Sequence, residues 1–294
     1  MNVPSSLLSG LIVAAHGRQY RVRLANGEEW LCYPKGKKSE VVCGDRVAVR
    51  GSQSGQGVIE RVETRKTLLY RSNALREKRI AANVDQIILV VAAEPAFSAA
   101  LVSRCLIAAE AEGIAPRIVL NKNDLADKLP TARQRLELLA SLGYPLLELS
   151  ATRSVAALIP HLEGKTSVLV GQSGMGKSTL INALIPGVTA ATREISAALA
   201  SGKHTTTHAQ LYFLNTESRL IDSPGLQEFG LGHLNFTALE HAFPEFAPHL
   251  GDCRFRSCRH QQEPGCALRA AVEAGQIAAE RLQLFQTLAR ENRL

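Results

Sequence analysis

The chain has no run of 18 apolar residues, so nothing in it reads as a membrane span. Its start, residues 1–10, lacks the basic region and the small-residue cleavage pattern of a secretory signal. These two absences give the expectation of a cytoplasmic protein with no membrane partner. Aromatic residues are scarce, at 5% of 294. The first 80 residues hold only Tyr20, Trp30, Tyr33 and Tyr70, too few for extensive base stacking. There are six cysteines, and in a chain expected to be cytoplasmic clustered cysteines favour a metal over a disulfide. Hydrophobic content is 46%, ample for buried cores, and the length allows one to three domains.

The N-terminal region reads as short strands. Tyr20, Val22 and Leu24 alternate with Arg21 and Arg23, and Asn26-Gly27 is a strong hairpin turn. Glu29–Tyr33, Asp45–Arg50 and Gly57–Val62 bring the count to about five, the number and spacing of a small barrel such as an OB-fold. Residues 1–80 carry 15 Lys+Arg against 7 Asp+Glu, a net of +8, whereas the whole chain is +7. The positive field therefore lies in this module and in the Arg71–Arg79 segment after it. Phosphate backbones are its natural partner. With so few aromatics, reading of folded RNA by backbone and shape is expected.

Thr166–Val170 is a β-branched and apolar run followed at once by Gly171-Gln172-Ser173-Gly174-Met175-Gly176-Lys177-Ser178-Thr179 and then by the helical Leu180–Leu184. Strand, glycine loop and helix are the context a phosphate loop requires. Gly171 and Gly176 allow successive N–H groups to face one cradle. Lys177 is placed to reach β- and γ-phosphates, and the Ser178 hydroxyl to ligate Mg²⁺. The helix N-terminus adds partial positive charge.

The base is indicated elsewhere. Asn121-Lys122-Asn123-Asp124 ends the apolar run Pro116–Leu120. A carboxylate at Asp124 can accept from guanine N1–H and N2–H₂, whereas adenine would leave it unpaired, at a cost. Alone, such a polar cluster is common in surface turns. A second strand, Pro145–Leu149, leads into Ser150-Ala151, a candidate second guanine loop. Thr152 stands where a lysine usually follows. Both base-reading segments precede the phosphate loop, the reverse of the usual GTPase order, so the chain reads as circularly permuted. Strands and helices alternate from Gln86 to Ile221, as in a mostly parallel α/β sheet.

Ile221 ends a strand and Asp222-Ser223-Pro224-Gly225 follows, a DxxG pattern. In it Asp222 would hold Mg²⁺ through water and the Gly225 N–H would sense the γ-phosphate. Gly202-Lys203-His204-Thr205-Thr206-Thr207 lies between, and Thr206, with Thr205 close behind, is the candidate second Mg²⁺ ligand. Threonine runs also favour edge strands. Leu226 occupies the place where many GTPases use glutamine to orient water. His204 is the nearest candidate for that task, although a loop histidine is as readily a solvated surface residue. Slow intrinsic turnover, raised by a partner, is expected.

Three cysteines, Cys32, Cys43 and Cys105, are scattered and read as ordinary thiols. Cys253, Cys258, His260 and Cys266 cluster and make a closed donor set for structural Zn²⁺. Such a site serves folding rather than catalysis. Arg254, Arg256 and Arg259 lie between the ligands and can meet phosphate. Ala267–Ala274 and Ile277–Arg290 read as two helices broken at Gly275, with Ile277, Leu284 and Leu288 on one packed face.

Barrel, permuted GTPase and Cys₃His module in this order resemble the bacterial ribosome small-subunit-dependent GTPase A family (RsgA, also called YjeQ). The residues that carry the likeness are 121–124, 171–179, 202–207, 222–225 and 253–266, together with Ala81–Gln86 and Phe243–Phe246. Lys203 and Met175 are small departures. The resemblance implies a barrel at 1–66, a permuted P-loop GTPase domain at 67–230 and a zinc-binding helical module at 231–294. It implies GTP hydrolysis in late 30S maturation, binding to the 30S subunit and 16S rRNA, stimulation by them, and help in releasing assembly factors. It places the catalytic histidine at His204, with Thr206 and Gly225 as switch residues, and the zinc ligands at Cys253, Cys258, His260 and Cys266. A monomer is expected. A GTP-gated RNA-binding scaffold, with hydrolysis only as a timer, is the alternative. An ATP-dependent nucleotide kinase shares the phosphate loop but not the other motifs. The order of motifs also suggests a lever: the chain leaving Gly225 runs through Leu226–His241 straight into the zinc module.

Overall fold

The computed structural model describes residues 7–36, 40–72, 77–185, 209–223 and 229–294. Five strands open the chain: β1 (Leu8–His16), β2 (Gln19–Leu24), β3 (Glu29–Pro34), β4 (Arg46–Gln53) and β5 (Gln56–Val62). They pair in the order β1-β2-β3-β5-β4, and β4 returns to β1, so the sheet closes on itself as a barrel. The alternation seen in the sequence is the reason. Ile12, Tyr20, Val22, Cys32, Val47 and Ile59 point inward and form one small core, while Arg21 and Arg23 face out. Asn26 accepts from the Glu28 amide at 3.0 Å, which fixes the β2–β3 turn.

Buried polar contacts stitch the barrel to the segment that leads out of it. Asp45, fully buried, accepts from Arg65 at 2.6 and 2.8 Å and from the Val42 amide at 2.8 Å. Asn83 donates to Gly44 O at 2.9 Å, and the Ala82 amide donates to Cys43 O at 2.9 Å. The segment Ala81–Asn83 thus forms the seam of the barrel. A hairpin, β6 (Leu68–Ser72) with β7 (Glu77–Ala82), stands between barrel and sheet.

The second sheet contains β8 (Gln86–Ala92), β9 (Ala115–Asn121), β10 (Leu146–Glu148), β11 (Thr166–Val170), β12 (Gln210–Phe213) and β13 (Arg219–Asp222). Their order is β10-β9-β8-β11-β13-β12, parallel except for β12 at the edge. β12 also touches β1 through Ala14 and Gln210, which makes the sheet continuous with the barrel. β8 and β11 are buried along their whole length. That is why they read as unbroken apolar runs rather than alternating ones. Helices α1 (Ala99–Ala111), α2 (Leu129–Ser141), α3 (Ile159–Leu162) and α4 (Lys177–Leu184) connect the strands. The chain lays β8, β9 and β10 outward on one side, returns to β11 beside β8, and then builds the other side. The topological switch point therefore lies between the C-terminal ends of β8 and β11, where open α/β sheets bind ligands.

The C-terminal part holds α5 (Phe236–His241), a 3-10 turn (Pro244–His249), α6 (Ala267–Glu273) and α7 (Ala279–Glu291). Phe243, Phe246 and Phe285 form its core, with the first two rings stacked at 4.7 Å and Phe285 edge-on at 5.6 and 5.5 Å. Ile277 and Leu288 are buried as expected, but Leu284 is only half-buried. The buried stripe of α7 runs through Leu282, Phe285, Leu288 and Ala289, which leaves Leu284 at its edge. Among the described residues no helix is long and apolar enough to cross a membrane.

Candidate nucleotide site and metal centre

At the switch point the two predicted loops are clamped together by one side chain. Asn121, at the end of β9 and 1% exposed, donates through Nδ2 to Met175 O at 2.9 Å. Its Oδ1 accepts the Ala151 amide at 2.9 Å. Three separate stretches of chain thus converge on one amide. Lys122 donates to Glu94 O at 2.7 Å and to Gly174 O at 2.9 Å. Its backbone sits at φ 62°, a left-handed conformation that costs a non-glycine residue roughly 1–2 kcal/mol. His260 in the C-terminal module shares this feature at φ 58°. Strain of this kind collects where geometry is imposed for function.

The phosphate loop approaches its neighbours too closely for any side chain. A Cβ at Gly176, where φ is 92°, would stand 2.2 Å from Asn121 Nδ2, and one at Gly171 would stand 2.3 Å from Val90 O. Gly176 is the residue from which α4 starts, so the backbone N–H groups of the first turn face the loop's mouth. Met175 is buried and anchors the loop, whereas Ser173, Gly174, Ser178 and Thr179 line its rim. Lys177 donates to Gly171 O at 2.6 Å and to Gln172 O at 3.0 Å. Burial lowers the pKa of its ammonium, and the charge of Asp222 opposes that shift. Asp222 ends β13, paired in register with Leu169 and 6% exposed. The following Ser223 donates to Leu169 O at 2.6 Å.

The residues expected to read the base, Asn123 and Asp124, stand beside Ser150 and Thr152. The Asn123 amide donates to Leu149 O at 3.1 Å. The Ser150 hydroxyl, beside Asp124, holds that carboxyl below its ordinary range. The same hydroxyl lies 2.9 Å from Thr152 Oγ1. Threonine at 152, a departure from the usual lysine, thus belongs to the polar chain that orients Asp124. His204, Thr206 and Gly225, with Lys203, Thr205 and Leu226, lie outside the described residues.

Two contributors were not visible in the sequence. Gln172 Oε1 accepts the Ser98 amide at 2.8 Å, and the Ser98 hydroxyl caps α1 by accepting from Leu101 at 3.2 Å. Pro95 packs against Gly174. Ser98 and Pro95 both come after β8, and only the sheet order brings them beside the phosphate loop.

The second site is the cysteine–histidine cluster. The ligand atoms of Cys253, Cys258, His260 and Cys266 lie within 4.8 Å of one another. His260 Nδ1 is 3.6, 3.6 and 3.3 Å from the three sulfurs. Zn–S and Zn–N bonds of about 2.3 and 2.0 Å in a tetrahedron set nitrogen and sulfur about 3.5 Å apart, which these distances match. The other ring nitrogen, Nε2, donates to Glu240 on α5 at 2.7 Å. This leaves Nδ1 with its lone pair toward the thiols, the carboxylate–histidine arrangement of metal sites. Glu240 lies 20 residues upstream of His260 and no spacing rule points to it. Burial pushes the Cys258 thiol up to about 12 and also raises Cys266. A dication would supply the charge that burial withholds. The donor set, its distances and the carboxylate behind His260 fit Zn²⁺.

A phosphate loop at a central switch point, clamped by an asparagine to guanine-type loops that precede it in the chain, defines a circularly permuted GTPase. The sequence profile of the RsgA GTPase family matches residues 62–232. The "Small ribosomal subunit biogenesis GTPase RsgA" of Ralstonia pickettii (strain 12J) is 52% identical over 291 residues, covering 96% of this chain and 92% of that protein. The protein of the same name from Burkholderia pseudomallei (strain K96243) is 53% identical over 287 residues, covering 96% and 91%. Among solved structures, YjeQ from Thermotoga maritima superposes with a TM-score of 0.73 at 32% identity, covering 98% of this chain and 99% of that one. YloQ, described as a circularly permuted GTPase, gives 0.69 at 28% identity, covering 98% and 95%. The chain belongs to the RsgA GTPase family, and it is a GTP-hydrolysing enzyme of small ribosomal subunit biogenesis.

Proposed function

We propose that this GTPase acts late in 30S maturation, binds the small subunit through 16S rRNA, is stimulated by it, and uses turnover to help release assembly factors. The names of its relatives support the small-subunit partner, and the net charge of +8 over residues 1–80 supports a phosphate-rich surface. The observation that supports the nucleotide part of the reading is the Asn121 side chain, which bonds both the Met175 carbonyl and the Ala151 amide and so ties the three loops together.

In this reading Asp124 accepts from guanine N1–H and N2–H₂, and Lys122 covers the base with its stem. The Ser150–Ala151 loop presents a backbone N–H to O6. The Ala151 amide already serves Asn121, so Thr152 is the next amide able to share that contact. Gly171–Gly176 wrap the phosphates, Lys177 neutralises them, and Ser178 and Thr206 ligate Mg²⁺, with Asp222 behind them. Gly225 senses the γ-phosphate and His204 positions water. Cys253, Cys258, His260 and Cys266 hold one structural Zn²⁺, which supplies the folding energy of a small loop. An ATP-dependent nucleotide kinase would share the phosphate loop but fails on the Asn121–Asp124 and Asp222–Gly225 motifs, and a base-competition assay tests that exclusion.

GTP hydrolysis measured with and without purified 30S subunits tests the reading, for wild type and His204→Ala. Stimulation lost in the variant is expected. A wild-type rate indifferent to 30S would remove the proposed partner. Factor release that proceeds equally with a non-hydrolysable analogue would instead favour the scaffold in which hydrolysis is a timer.

A further inference from the structure

The zinc loop carries a side chain that the fold does not use. Phe255 is 45% exposed, one of four large apolar or aromatic side chains left in solvent among the described residues. It lies between two metal-ligand positions, Cys253 and Cys258, and its carbonyl accepts the Cys258 amide at 3.1 Å. The Arg254 amide donates to Gly265 O at 3.0 Å, so the loop is pinned on both sides. The ring is therefore held out on a rigid support rather than on a mobile tail. Arg254 lays its guanidinium 5.5 Å from the ring centroid. Arg256 is exposed next to it, and Arg259 lies over Phe236 at 4.6 Å. Three of the seven arginines in residues 231–294 thus fall within six positions around one exposed ring. Glu263, the acid between Cys253 and Cys266, accepts from the amides of Arg259, Gln261 and Gln262 at 2.9, 2.8 and 3.1 Å, and the exposed Asp252 directly precedes Cys253.

An aromatic face beside guanidinium groups is the arrangement that takes an unstacked base with its phosphates. A pocket of another protein would be met by an apolar tip without this local excess of positive charge. We infer that Phe255 is a stacking platform for an unpaired RNA base, with Arg254 and Arg256 receiving the flanking phosphates. The inference rests on the proposed small-subunit partner and assigns part of that contact to the zinc module.

The test uses the full-length, zinc-loaded protein and two labelled single-stranded 12-nucleotide RNAs, read by fluorescence anisotropy. One carries adenine throughout and the other is abasic at every position, so the phosphates are equal. Phe255→Ala is expected to weaken binding of the adenine RNA by roughly five- to hundredfold and to leave the abasic RNA within about twofold. Phe255→Trp restores the preference. Arg256→Ala weakens both RNAs alike and flattens the salt dependence. Unchanged zinc content and GDP affinity show that the variants are folded. Equal losses on both RNAs, or none on either, overturn the platform. So does a Phe255→Ala defect that appears on purified 30S subunits but not on naked RNA, which would assign the ring to a ribosomal protein. If wild type binds no 30S subunit, the functional reading itself fails; if both proteins bind 30S equally, only the platform fails.

Discussion

Asn121 shows how much a single side chain can decide. It is buried, and both ends of its amide are engaged across loops that are 30 and 54 residues away in sequence. Replacing it with alanine leaves the Met175 carbonyl and the Ala151 amide without their partner in a buried place. Each such orphan costs about 1–3 kcal/mol. Asn121→Ala should therefore lower the melting temperature by several degrees and weaken GDP binding more than tenfold, measured by thermal scanning and calorimetry. Asp124→Asn makes a different prediction. It exchanges a double acceptor for a group that also donates, so preference should move from GTP toward xanthosine triphosphate in a competition assay. An unchanged preference would refute the base assignment. The motif residues were legible because their chemistry dictates their type. Thr152 was legible only as a departure, since nothing in the sequence shows its hydroxyl 2.9 Å from Ser150.

At the scale of elements, the strands most readable in sequence were those buried on both faces, β8 and β11, because burial on both faces forces an unbroken apolar run. The strand β12 was not, because a half-exposed strand mixes residue types freely. On α7 the buried stripe runs through Leu282, Phe285, Leu288 and Ala289, and Leu284 falls at its edge. The seam between α1 and the C-terminal module carries a testable charge. Glu110 on α1 lies near Glu245 and Arg281, and burial raises its pKa above the ordinary 4.5. A carboxyl raised on folding binds more protons in the native state than in the unfolded one. The contribution of Glu110 to stability is then fully present below 4.5 and is lost as pH rises through the native value. Glu110→Gln should remove that decline: its melting temperature should exceed wild type at about pH 7.5 and converge with it near about pH 4.5. At the metal centre, Glu240→Gln should weaken Zn²⁺ retention against a chelator by roughly 10- to 100-fold while leaving the four ligands in place. Retention equal to wild type would show that Glu240 does not orient His260.

At the scale of the whole molecule, α1 touches both the phosphate loop and the C-terminal module. Its N-terminus meets the phosphate loop through Ser98 and Gln172 at 2.8 Å. Its middle grips α7 through Arg104 and Glu291 at 2.8 and 2.7 Å. The end of α7 in turn clasps the chain that emerges from the DxxG segment, as Asn292 donates to Leu231 O at 2.7 Å and to Leu234 O at 3.2 Å. In the proposed reading, the permuted order places the module with the Cys₃His cluster next in sequence after the DxxG motif. Two connections therefore join the module to the rest of the chain: the Arg104–Glu291 ion pair on α1 and the covalent path through residues 229–241. If the second path carries the switch, the module tracks the nucleotide state only while the connector is short. Inserting four glycine and serine residues after Gly230 slackens it without touching either site. The expected result is normal GDP affinity and normal intrinsic hydrolysis, with 30S-stimulated turnover reduced severalfold. Asn292→Ala should produce the same pattern more weakly, since it releases the clasp but not the connector. Stimulated turnover equal to wild type in the insertion variant would show that α1 alone couples the two sites, and that the altered order of motifs changes topology without changing transmission.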